Sequence, residues 1–460
     1  MTTNDDSAAV PDAMQQDMND WLQRHADLKS VRAVVCDLNG IYRGKRLPIG
    51  LVAKAVEGTL KMPLSTLLVD VWGDDAMATG QVLETGDRDG FLQPTGRGFL
   101  AMDWLGAPTA LLPCSMYTDE GEPYEGDPRH VLAAVVERYR AKGLTPVCAT
   151  ELEFYLHARD ATRIRPPTRP DGVPLSANAV YSLQDLDGFD AFLEDVYAAC
   201  RRFGIEAEEA ISENGCGQFE INFRHVADPL RAADDAQFFK YLVKGVAGKH
   251  GFGATFMAKP YGKESGSGFH VHYSLLDETG RNVFDDGSDE GSDLFRHAIG
   301  GLLQGLAPSM LVFAPHYNSY RRLRTGTHAP TRVDWGYENR TAAIRVPSGD
   351  GESRRIEHRV AGADANPYLV LAAILGSALI GIEEQIDPGP PLEGNSEEGD
   401  GAWLPFTWEQ AIDVFELSPL IPRVLGEFVP PIYAAVKQQE ADEFAEELSP
   451  FEIETYLRVL

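Results

Sequence analysis

What most constrains the fold of this chain is a kind of strand that the sequence repeats in four places, with apolar residues alternating with carboxylates, amides, imidazoles or guanidiniums. Side chains on a strand point alternately to its two faces, so each such segment has one oily side and one charged side. In VCATELEFYLH, Glu151 and Glu153 share a face opposite Leu152, Phe154 and Leu156. In GQFEINF, Gln218, Glu220 and Asn222 oppose Phe219, Ile221 and Phe223. In GFHVHYSL, His270, His272 and Ser274 oppose Phe269, Val271, Tyr273 and Leu275. In RRIEHRV, Arg355, Glu357 and Arg359 oppose Ile356, His358 and Val360.

A single strand of this kind is an ordinary sheet with one wet face. Four that converge would crowd like charges together, which is tolerable only with cations between them. Carboxylates with an imidazole form a hard, oxygen-rich set that suits Mg²⁺ or Mn²⁺ better than zinc or copper. Arg322, Arg340, Arg345, Arg355 and Arg359 add the guanidiniums that clamp carboxylate and phosphate oxygens. Metal, carboxylate and arginine together point to phosphoryl transfer to an acid.

The 460 residues exceed what one core usually serves, so more than one domain is expected. Residues 1–28 form a polar tail and a short amphipathic helix carrying Met14, Met18, Trp21, Leu22 and His25. Short β-type runs, VRAVVCDLNG, RGKRLPI, STLLVDVWG and TALLPC, mark a small sheet domain over residues 29–110. Long helices alternating with strands then fill a larger domain, residues 111–460, of α+β class. One helix opens at Asp127 and Pro128, with Val131, Leu132, Val135, Val136 and Tyr139 on one stripe and Gly143 after its end. Another carries Phe189, Phe192, Leu193, Val196, Cys200 and Phe203, and residues 387–401 read as an exposed loop.

The net charge of −29 argues against a nucleic-acid partner, which demands an excess of Lys and Arg. Five dispersed cysteines without CxxC spacing indicate a reducing compartment and no zinc site. The apolar run from Tyr368 to Ile382 is too short to cross a bilayer and reads as a buried helix, and the first residues lack the pattern of a signal peptide. A cytoplasmic protein with no membrane partner is expected.

At this point several ordered motifs resemble the glutamine synthetases, from about Val31 to the end. KPYGKESGSGFHVHYS resembles that family's ATP-binding signature, NSYRRL with NRTAAIRVP its arginine-bearing substrate region, and RRIEHRVAGADANPYL its last catalytic strand and following helix. The resemblance implies a small N-terminal β-grasp domain and a large catalytic domain whose antiparallel strands form a funnel. It also implies a homo-oligomer of two stacked hexamers with active sites between subunits. Glu153, Glu213 and Glu220 would hold one metal and Glu151, His270 and Glu357 a second, with a third accompanying the nucleotide left open. Arg322 and Arg359 would bind the glutamate α-carboxylate, with Gly266 and His328 also bordering the substrates. Arg340 would stabilise the transferring phosphoryl group, while Lys259, His272, Ser274, Arg345 and Arg355 would face ATP. Asp37 would reach into a neighbouring subunit and, with Glu213, serve the removal of a proton from the amine.

One departure bears on the amine. Glutamine synthetases that use ammonia carry a flap glutamate in a Gly-aromatic-Glu-Ala-Pro pattern, where this chain has GTHAP and His328. DLNGIYRGKRLP, WGYENRTAAIRVP and HRVAGADANPYLVLAAILG resemble instead the γ-glutamylputrescine (γ-glutamylpolyamine) synthetase branch. The expected reaction is therefore ATP-dependent ligation of glutamate to a polyamine such as putrescine. Ammonia, another amine such as ethanolamine or an alkyl or aryl amine, and a silent structural or sensor homologue are the alternatives.

Overall fold

The computed structural model describes residues 10–159, 164–173, 175, 180–349 and 351–460. Its first sheet is built from β1 (Ser30–Cys36), β2 (Tyr42–Pro48), β3 (Leu60–Pro63), β4 (Asp89–Pro94), β5 (Leu100–Ala101) and β6 (Thr109–Tyr117). They lie in the order β2-β1-β6-β4-β3 with β5 on β6, and β1 and β6 run parallel. The sheet thus continues to Tyr117, beyond the residue 110 expected from the sequence. The expected strand STLLVDVWG is not one: Leu64–Leu67 is a 3₁₀ turn and the next residues form a tight loop. The Asp70 carboxylate accepts from the N–H groups of Trp72, Gly73 and Asp74, so it replaces the ladder partners a strand would need.

The second sheet holds β7 (Leu144–Ala158), β8 (Ala207–Ser212), β9 (Gln218–Phe223), β10 (Phe252–Thr255), β11 (Phe269–Asp277), β12 (Trp335–Tyr337), β13 (Ile344–Val346) and β14 (Ile356–His358). Their order is β12-β13-β14-β11-β7-β9-β8 with β10 on β7, antiparallel except between β12 and β13. The α+β expectation holds. Phe154, Phe219, Phe223 and Phe256 gather with Phe239 of the Pro229–Lys249 helix on the oily side of this sheet. Burying that side fixes the register, because a one-residue slip would turn every phenylalanine to the charged face.

The helix boundaries read from the sequence are close to those observed. Asp127 caps Pro128–Arg140 through the Arg129 N–H at 2.8 Å. The apolar run lies in the Pro367–Glu384 helix, whose residues through Gly381 are buried against the Asp293–Leu306 and Pro128–Arg140 helices. Its cap Asn366 does two things at once: Oδ1 accepts from Tyr368 N at 2.9 Å, and Nδ2 donates to the Asp37 and Leu38 carbonyls at 2.9 and 3.3 Å. Asn366 therefore couples the core helix to the first sheet. Asn366→Ala should lose the cap and leave buried carbonyls unpaired, a cost of about 2–4 kcal/mol in denaturant unfolding. Asn366→Asp, which keeps the cap oxygen and loses the donor, should recover only part of that.

Candidate active site

The charged faces of the strands do meet. Across the sheet Arg345 pairs with Glu357, Glu357 with His272, His270 with Glu151, Glu151 with Asn222, and Glu153 with Glu220. Residues directly opposite on neighbouring strands share a face, so this ladder is one continuous polar surface. Ser274, buried two residues after His272, extends it.

At its centre Glu151 accepts from both imidazoles, from His270 Nδ1 at 3.2 Å and from His272 Nε2 at 2.8 Å. Burial opposes the Glu151 charge, but these hydrogen bonds hold the carboxyl well below the usual range. Arg355 Nε donates to His272 Nδ1 at 3.3 Å, which leaves the proton of a neutral His272 on Nε2, facing Glu151. Glu357 sits between Arg345, at 2.6 Å, and Arg359. Burial would raise its pKa, but Arg359, His272 and His270 outweigh that and hold it at about 2.

The other carboxylates behave in the opposite way. Burial, then repulsion from Glu153, pushes Glu213 up to about 7, with Arg340 the cation that opposes the rise. Burial and the charges of Glu153, Glu151 and Glu213 push Glu220 higher still. Histidine hydrogen bonds thus satisfy Glu151 and arginines satisfy Glu357, while Glu213 and Glu220 are left with raised proton affinity.

The residues fit divalent metal. Two groups, Glu151 with His272 and Glu357, and Glu151 with Glu220 and His270, each bring ligand atoms within 4.8 Å of one another. A Cβ on Gly268 would lie 2.9 Å from His270 Nε2, 3.0 Å from Arg322 Nη2 and 3.2 Å from Glu153 Oε1, so glycine keeps open a point where three polar groups converge. Nε2 of His270 is thus turned to this cradle while Nε2 of His272 is engaged with Glu151. The buried Nε atoms of Arg345 and Arg359 have no hydrogen-bond partner among the described residues.

The remaining residues named from the sequence divide. Arg322 is buried beside the site and donates to the Val360 and Arg359 carbonyls at 2.7 and 3.3 Å. Gly266 lies against Arg322, where a Cβ would approach Arg322 Cγ to 2.7 Å. Lys259 is buried, its ammonium on the Glu264 carbonyl. His328 is exposed on the loop after Arg324. Asp37 is fully buried in its own chain, bonded by Ile41 N and by Arg43 Nε at 2.8 Å each, with burial raising its pKa to about 6. Gly268 carried no distinct sequence signal; its contribution is close approach, and pattern reading registers only residue type.

The fold, the convergent charged face and the family match together define an ATP-dependent carbon–nitrogen ligase. The chain belongs to the glutamine synthetase family, whose catalytic domain matches residues 125–456. It is 37% identical to the γ-glutamylputrescine synthetase of Escherichia coli (strain K12), over 97% of this chain and 95% of that protein. The glutamine synthetase of Thermotoga maritima is 32% identical over 87% of this chain and 94% of its own length. A solved structure described as a GmaS/ADP complex superposes with a TM-score of 0.83 at 27% identity, covering 95% of this chain and 98% of that one.

The raised carboxylates set the pH dependence of metal binding. Glu213 and Glu220 hold protons in the metal-free fold at pH values where the unfolded chain has released them, so their own contribution to stability falls as pH rises above the ordinary carboxylate value. A bound dication reverses that and expels the protons. Mn²⁺ affinity should therefore rise between pH 5 and pH 7, by up to about tenfold per unit for each proton released. Calorimetric titration in two buffers of different ionisation enthalpy should show that release; a pH-independent affinity would contradict it.

Proposed function

We propose that this protein joins the γ-carboxylate of glutamate to one amino group of a polyamine such as putrescine, at the expense of ATP. The carrying observation is the convergence of strand carboxylates, histidines and arginines on one face, together with His328 in GTHAP, where the resemblance leads one to expect a flap carboxylate for ammonia. Similarity to γ-glutamylputrescine synthetase over nearly the whole chain supports the same reading.

A carboxylate does not react with an amine, since oxide would have to leave; transfer of the ATP γ-phosphoryl group gives an acyl phosphate whose leaving group is phosphate. Glu151, Glu153, Glu213, Glu220, His270 and Glu357 would hold Mg²⁺ or Mn²⁺, which would supply charge neutralisation for the phosphates and orientation for the substrate carboxylate. Arg322 and Arg359 take the α-carboxylate, with Gly266 bordering it. Arg340 offsets charge on the transferring group. Lys259, His272, Ser274, Arg345 and Arg355 face the nucleotide.

The amine arrives protonated, with a pKa of about 10, and must lose a proton before it attacks. Glu213, a carboxylate beside Glu153 and Arg340, is the group proposed to take that proton once its own has been released. Glu213 takes the first proton from the ammonium, the nitrogen–carbon bond forms as the carbon–oxygen bond to phosphate breaks, and the second proton of the nitrogen leaves with the departing phosphate. Asp37 would have to leave Arg43 to serve a neighbour's site, which is why Glu213 is the proposed base. A cytoplasmic ring of two stacked hexamers, with active sites between subunits, belongs to the same reading and rests on family membership.

The test is phosphate release from ATP with glutamate and Mg²⁺, comparing putrescine, ethanolamine, monoamines and ammonium. Putrescine should give the highest kcat/KM, and ammonium ahead by a wide margin would end the polyamine reading. His328→Glu should improve ammonium use relative to putrescine; unchanged selectivity would remove His328 from that role. Arg340→Ala should lower kcat by roughly 10³-fold or more with little effect on glutamate KM.

A further inference from the structure

Gln218 is 1% exposed, lies on the charged face of β9, and has no part in the chemistry above. Each hydrogen of its amide nitrogen has an acceptor, Glu153 Oε2 at 2.9 Å and the Gly266 carbonyl at 3.0 Å. Its amide oxygen accepts from Gly215 N at 3.0 Å, and its backbone carbonyl accepts from Glu213 N at 3.0 Å. One residue thereby ties together a metal-directed carboxylate, the glycine turn beside Arg322 and both ends of the short segment that carries Glu213.

We propose that Gln218 is a positioning residue that fixes which oxygen Glu153 presents to metal and holds Glu213 and the Gly266 turn in register with it. Glu153 Oε2 also accepts from Gly268 N at 3.0 Å, so two donors occupy that oxygen and Oε1 is left facing the cradle with His270 Nε2 and Arg322 Nη2. The same frame closes on its outer side. Tyr155 donates to the Ser265 carbonyl at 2.7 Å, Asn214 Nδ2 donates to Ser265 Oγ at 3.1 Å, and Gly215 lies so close to Tyr155 that a Cβ would fall 1.8 Å from its hydroxyl. A glutamate at 218 could keep the Gly215 bond but could not donate as an ionised group, and it would bring another negative charge beside Glu153. The amide is thus required for its donors, and the inference rests on the metal-dependent reading of the site.

The test uses full-length Gln218→Met, which keeps length without hydrogen bonds, and Gln218→Glu. Calorimetric Mn²⁺ binding to metal-free protein and the kcat and KM for glutamate are read against the thermal midpoint. The Mn²⁺ dissociation constant should rise about 10–100-fold in both variants, and glutamate KM at least about fivefold, beyond what any loss of folded protein explains. Variants that bind Mn²⁺ and glutamate as the wild type does, or that lose only folded protein, would overturn the proposal. Hydrogen exchange on the wild type keeps it open to refutation if both variants misfold. Mn²⁺ should slow the Gly215 and Gly268 amides together, and exchange at Gly215 unaffected by Mn²⁺ would also overturn it. Wild-type protein that binds no Mn²⁺ would remove the metal reading and this inference with it, whereas binding with unaltered variants removes the inference alone.

Discussion

The structure is organised around mutual repulsion of glutamates gathered on one face of one sheet. Glu151 and Glu357 have partners of the chain's own to answer them, the imidazoles of His270 and His272 for the first and Arg345 and Arg359 for the second. Glu213 and Glu220 have too few, and in the metal-free state protons stand in for the missing charge. Such a cluster of like charges costs stability. The phenylalanines on the opposite side of the same strands supply the burial that holds the repelling face together.

Two kinds of backbone support keep this face in place. Where the chain must come close to the site, glycine removes the obstruction, as at Gly268 beside His270 and Arg322 and at Gly215 against Tyr155. Where polar segments must keep a fixed spacing, buried amides with all donors engaged do the work, Gln218 inside the site and Asn366 at the seam with the first sheet. The seam has further ties: Lys437 meets Asn39 and Glu440, Glu440 accepts from Val71 N at 2.9 Å, and Gln237 donates to the Gly40 carbonyl at 2.8 Å. The Asp37 loop is thereby held against the catalytic domain of its own chain.

Much of this was legible in the residues alone. Period-two alternation in β7, β9 and β11 named which side chains share a face, because the pleat leaves no other choice. The Asp127 and Asn366 caps and the buried apolar helix followed from equally local rules. Local rules failed where a side chain overrode propensity: STLLVDVWG has the composition of a strand, but the Asp70 carboxylate winds its end into a loop. TALLPC was read as part of the first sheet, and pairing with β1 and β4 carries that strand on to Tyr117.

By itself, then, the sequence determined the class of fold, the identity of the charged faces and the hard, oxygen-rich character of the site. Those properties follow from residue type and short-range periodicity. Only the tertiary structure decided which glutamate is paired and which is raised in proton affinity, that His270 Nε2 faces the cradle while His272 Nε2 meets Glu151, that Gln218 spans three segments, and that Asp37 is enclosed beside Arg43. Charge balance and hydrogen-bond saturation depend on distances between residues tens or hundreds of positions apart, and those distances exist only after strand pairing has fixed the register.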